Sequence, residues 1–184
     1  FIVNSILTFT NRKYLTLTYN KQLYVTKNIT KSIVLLLVCV RLCWIGYDIF
    51  MNTPLDNTIV KDTASIYVAN DIVALLIVPN LPITTKRHHM TTTFLLFVNY
   101  FINYEDLDLI SAKIGILLIG YTAFSAFAFL VNFFLGLRLI TNNLQRLNIF
   151  RIIALYNYKL CLVFNWLSQA GFILNTVVND NSLI

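Results

Sequence analysis

The run IGILLIGYTAFSAFAFLVNFFLGL, Ile114 to Leu137, contains no charged residue. About 20 apolar residues in a helix cross the hydrocarbon core of a bilayer, so this stretch reads as a membrane span. Four further apolar segments surround it: about Ile29 to Phe50, Thr63 to Val78, His89 to Tyr104, and Ile149 to Leu174. The second of the five ends before Pro79 and Pro82, and the second and third are short for a span. Short spans tilt little or sit inside a bundle. Phe1 to Phe9 is also apolar and reads as the end of an earlier span whose start precedes Phe1. The expected fold is an all-α integral membrane bundle of five to six transmembrane helices, one domain over residues 1–184.

Composition agrees with lipid as the solvent. The 184 residues are 58% hydrophobic and 12% charged, with a mean hydropathy of +0.71. Soluble domains carry about 25% charged residues. A soluble core of this length could not bury the remaining apolar surface. Cys39, Cys43 and Cys161 lie in apolar segments, and an odd count gives no disulfide framework. They read as small packing residues.

The charges sort by side. Residues 11–31, 79–88 and 138–151 fall on one side and hold Arg12, Lys13, Lys21, Lys27, Lys31, Lys86, Arg87, Arg138, Arg146 and Arg151, with no acid. Residues 51–62, 105–113 and the C-terminus fall on the other. These hold Asp56, Asp62, Glu105, Asp106, Asp108 and Asp180 against Lys61 and Lys113. The positive-inside rule expects the basic loops in the cytoplasm. The net charge of +6 is then a topology signal with some attraction for anionic headgroups. The bases are spread over three loops without a nucleic-acid motif, so no nucleic-acid partner is expected. The sequon Asn28-Ile29-Thr30 falls on the same basic side, next to the membrane, and is not expected to carry a glycan.

Polar residues inside spans carry the functional reading, because they are expensive there and line cavities or pair between helices. Arg41, Asp48, Asp71 and Lys159 are charged. Asp48 and Lys159 are near enough to span ends to snorkel. Asp71 is near mid-span and needs a partner, for which Arg41 is one candidate. Asn99 and Asn103, Asn132, and Asn165 with Gln169 read as bonds between helices or as the lining of a polar cavity. His88 and His89, the chain's two histidines, open the third span after Lys86 and Arg87. Either can act as a general base or cap the helix start against headgroups. Adjacent helical residues point about 100° apart, so the pair does not easily chelate one ion. No metal and no cofactor is expected.

Tyr67-Val68-Ala69-Asn70-Asp71, then a proline-containing turn, then His88-His89-Met90-Thr91-Thr92 resembles the TLC domain of membrane proteins. That family shows an aromatic-x-x-x-Asp in one span and a His-His pair opening the next. The likeness covers about residues 20–175, with Lys27 to Ser32 and Asn132 to Arg138 as weaker parts. It implies about six helices around a lipid-accessible cavity. Its best-known enzymes, the ceramide synthases, join a fatty acyl group from acyl-CoA to a sphingoid base, and their signature continues to a His-Asp pair. This chain has no third histidine.

The resemblance therefore favours binding or regulation of a membrane lipid without full ceramide-synthase chemistry. His88 and His89 would meet the headgroup, with Asp71, Asn99 and Asn132 as orienting or binding residues. Two alternatives stand beside this one. One is acyl-CoA-dependent N-acyl transfer with His88 and His89 as catalytic residues. The other is a structural subunit of a viral or organellar membrane assembly, with other membrane subunits as partners. The expected location is an integral membrane, endoplasmic-reticulum-like or viral or organellar.

Overall fold

The computed structural model describes residues 2–78, 81–107 and 109–179, with side chains described to residue 174. Pro79, Asp108 and Asp180, used above to delimit a span and sort the charges, lie outside the described residues. The described residues form helices joined by short turns, without a strand among them: α1 (Ile2–Thr10), α2 (Arg12–Leu15), α3 (Tyr19–Phe50), α4 (Asn57–Ile77), α5 (Ile83–Tyr100), α6 (Ile110–Phe127), α7 (Phe129–Ile140) and α8 (Leu144–Asn179). Three stretches are long and apolar enough to cross a membrane: Tyr19–Phe50, Ile110–Ile140 and Leu144–Leu174.

α3 is the central helix and packs against α4, α6 and α7. Its buried positions Val25, Ile29, Ser32, Leu35, Cys39, Leu42 and Ile45 recur at helical spacing, so one stripe runs along most of its length. Val38, Leu42, Val60, Tyr67, Val68 and Ile119 join α3, α4 and α6 in the main core. Tyr14, Val25, Ile29 and Ile140 form a second cluster at the N-terminal end of α3. Tyr14 donates to Asn4 Oδ1 at 2.5 Å and lies 2.8 Å from Thr26 Oγ1, which ties the first turns to α3. α8 lies outermost, against α6 and α7, and is the least buried of the three long apolar stretches.

Helix ends depart from the apolar runs where local chemistry carries the helix further. Residues 19–28 are polar and basic yet helical, so much of the expected 11–31 loop is the first third of α3. α4 begins at Asn57, before its apolar run, because Asp56 accepts from the Thr58 and Ile59 amides. α5 begins at Ile83, just after Pro82, so the histidines sit in its second turn and do not cap its start.

The Ile114–Leu137 run is broken between α6 and α7 at Ala128. The Phe127 carbonyl at the break accepts from Asn157 Nδ2 of α8 at 2.6 Å. A side chain from a neighbouring helix thus satisfies a backbone group that the break releases. Asn157→Leu is expected to cost about 1 kcal/mol, seen as a lower melting temperature of the solubilised protein. An unchanged melting temperature would mean that the break does not depend on α8.

The turns at each end pack on one another. Lys13 Nζ donates to Thr141 O at 3.0 Å and Asn11 Nδ2 to Ile140 O at 3.3 Å. At the opposite end of α3, the Tyr104 amide donates to Asn57 Oδ1 at 2.8 Å and Asn57 Nδ2 to Glu105 at 3.0 Å. Tyr104 is wholly buried, packs on Gly115 and donates to Asn99.

Candidate functional site

Asp71 faces inward from α4 and is 1% exposed. A carboxylate there needs a cation and hydrogen bonds to offset lost hydration. Two neighbouring helices, α3 and α5, supply them. Lys31 Nζ of α3 lies 2.5 Å from Asp71 Oδ1. His89 Nδ1 of α5 lies 3.1 Å from the same oxygen. Thr92 Oγ1, one turn on from His89, lies 3.1 Å from Asp71 Oδ2 and 3.0 Å from the His89 carbonyl. Thr93 Oγ1 donates to that carbonyl at 2.8 Å. The expected partner Arg41 is exposed on α3, and Lys31 takes its place. Lys31 is ten residues, nearly three turns, nearer the N-terminus of α3, at the level Asp71 reaches when α4 runs antiparallel to α3.

The two histidines divide, as adjacent helical residues do. His89 is buried at 3% exposure, and His88 is exposed, with ring centroids 5.6 Å apart. His89 Nδ1 is close to Asp71 but out of line for a hydrogen bond, and neither ring nitrogen has a hydrogen-bond partner. An unpaired buried polar atom costs about 1–3 kcal/mol. Ligand atoms of Asp71, His88 and His89 lie within 4.8 Å of one another, a spacing that could hold a metal ion. The Lys31 ammonium already sits on the carboxylate and supplies the positive charge that an ion would bring.

His88 and His89 open onto a cleft of about 580 Å³ between α3, α5 and α7, with Lys27, Lys31, Asn28 and Asn132 on its other walls. Arg138 of α7 stacks 5.6 Å from the ring centre of Tyr24, another cleft residue, and donates to its hydroxyl at 3.2 Å. A second cavity of about 380 Å³ lies beside the first, between α3, α6 and α8. Lys31, His88 and Asn132 line both. Leu35, Phe124, Ala128 and Leu162 give the second cavity an apolar stretch of wall, beside Tyr67, Tyr121, Tyr158, Ser125 and Asn165.

No family model, no curated protein and no solved structure matches this chain. The reading of the site therefore rests on its geometry.

Of the residues singled out in the sequence, Asp71, His88, His89 and Asn132 come together. Asn99 does not: it lies about 15 Å further along α5, bonded to Tyr104. Asn165 and Gln169, expected to bond between helices or to line a polar cavity, bond to each other along α8 at 2.8 Å, and Asn165 lines the second cavity. Asn28 is buried on the cleft wall and donates to the Tyr24 carbonyl at 2.8 Å. Lys27 and Lys31 are the site residues that sequence reasoning missed. Their signal is the i, i+4 pair of bases running into an apolar helix.

Proposed function

We propose that this chain is a multi-pass membrane protein whose α3, α4, α5, α6–α7 and α8 all cross the bilayer, and that the cleft beside Asp71 holds the headgroup of a membrane lipid. α4 and α5 are less apolar than a lone span, but they pack on each other, and α4 packs on α3, which shelters their polar residues. The basic turns would face the cytoplasm, so the cleft would open at the level of the cytoplasmic headgroups. A TLC-like ancestry suits this reading, since the Asp71 and His89 of the resembling motif are in contact.

The observation that carries the proposal is one cleft lined by Lys27, Lys31, His88, His89 and Asn132, with Asp71 behind Lys31 and His89, and sharing Lys31, His88 and Asn132 with a partly apolar cavity. A polar pocket with an apolar extension is the shape an amphiphile fills. Asp71 positions His89, and His88 faces the cleft from beside it. The test is lipid extraction from the purified protein followed by mass spectrometry. A retained lipid is expected, and the joint variant His88→Ala/His89→Ala should lose most of it. A protein that carries no lipid, or a variant that retains it fully, would sink the proposal.

N-acyl transfer is a second reading, favoured by the placing of His88 where the polar cleft meets the apolar cavity. It requires turnover of an acyl-CoA with a sphingoid base or another amine, and its absence would remove this reading.

A further inference from the structure

The charge of the cleft is one-sided. Lys27 and Lys31 stand one turn apart on α3, on the same face. Asp71 is the sole carboxylate in an ion pair at this site among the described residues, and it is taken by Lys31 and His89. Lys27 has no carboxylate within ion-pair distance among the described residues, and it lines the cleft. Arg138, on Tyr24 at the cleft wall, adds a third base nearby. Like charges this close in a partly dehydrated site repel unless an anion lies between them. His89 also lines the cleft, and its buried Nε2, on the side of the ring away from the Asp71 contact, has no hydrogen-bond partner. A ligand hydroxyl would satisfy it.

Resting on the lipid-binding reading above, we propose that the ligand is a single-chain phosphomonoester lipid. Its phosphate lies on Lys27 and Lys31 within the cleft. A hydroxyl of its backbone meets His89. Its chain passes His88 and Asn132 into the cavity lined by Leu35, Phe124, Ala128 and Leu162. One chain is assigned to the one cavity that shares Lys31, His88 and Asn132 with the cleft. A zwitterionic headgroup is disfavoured, because its quaternary ammonium would enter a cluster of bases.

The full chain in nanodiscs of neutral lipid is offered lysophosphatidate, lysophosphatidylcholine of the same chain, or inorganic phosphate. Lysophosphatidate should bind at least about tenfold more tightly than the choline lipid, as charge-assisted hydrogen bonds allow. Lys27→Gln, which leaves the Lys31–Asp71 pair intact, should abolish most of that preference. Equal binding of the two lipids, or a preference that survives Lys27→Gln, overturns the phosphate assignment and leaves lipid binding standing. Binding of neither lipid overturns both readings. Inorganic phosphate binding as tightly as lysophosphatidate would show that the chain cavity has no part, and so overturns the lipid assignment. A lysophosphatidate with a mid-chain diazirine should label residues 121–128 or 158–165. Labelling confined to other segments overturns the path of the chain.

Discussion

Asp71→Asn lowers the stability of the solubilised protein by about 3 kcal/mol, the lower end of what breaking a buried ion pair costs. The carboxylate is 1% exposed and the Lys31 side chain 14% exposed. The variant leaves an ammonium facing an amide, a threonine hydroxyl and an imidazole, none of which carries compensating charge. The loss stays at the low end because Lys31 borders the cleft, where water reaches it. Lys31→Met should cost a similar amount by stranding the carboxylate. The double variant Lys31→Met/Asp71→Asn should recover most of the loss, because neither unpaired charge then remains. Thermal unfolding of the four proteins in one detergent measures this. A double variant as unstable as the sum of the singles would mean that Lys31 and Asp71 act independently.

Gly136→Val should be nearly as costly, at about 1–3 kcal/mol or more. α3 and α7 approach closely at this position, as small residues permit between membrane helices. A Cβ on Gly136 would stand 2.6 Å from Ile29 Cγ1 and 3.4 Å from the Val25 carbonyl. Ile29 is buried and the carbonyl belongs to the backbone of α3, so a branched side chain must push the helices apart. Those helices form two walls of the cleft, with Lys27 and Lys31 on one and Asn132 on the other. The variant should therefore melt earlier and also bind lipid more weakly, whereas Gly120→Val, where nothing lies within 4 Å, should do neither. Equal effects at Gly120 and Gly136 would contradict the close approach.

The helices were legible because long uncharged runs such as Ile114 to Leu137 admit few alternatives in lipid, and three of them are long and apolar enough to cross it. Their ends were not, because capping and packing set them. Asp56 starts α4 before its apolar stretch, and the Phe127 carbonyl at the Ala128 break accepts from Asn157, distant in sequence. In the site, Asp71 and His89 were legible from cost alone, since each is a polar group that lipid does not tolerate unpaired. Lys31 was hidden because a base at a span end has an ordinary explanation in topology. Arg41 was a plausible partner by composition and the wrong one by height along α3. Asn99 was grouped with the histidines on polarity, while the buried Tyr104 holds it at the far end of α5.

The central claim is that the cleft beside Asp71 holds a lipid headgroup. An experimental density map of the protein in lipid nanodiscs tests it most directly. The account predicts elongated density with its compact end between Lys27, Lys31 and His89 and its tail passing His88 toward Phe124 and Leu162. A cleft that is empty, or filled by the protein's own side chains, would contradict it.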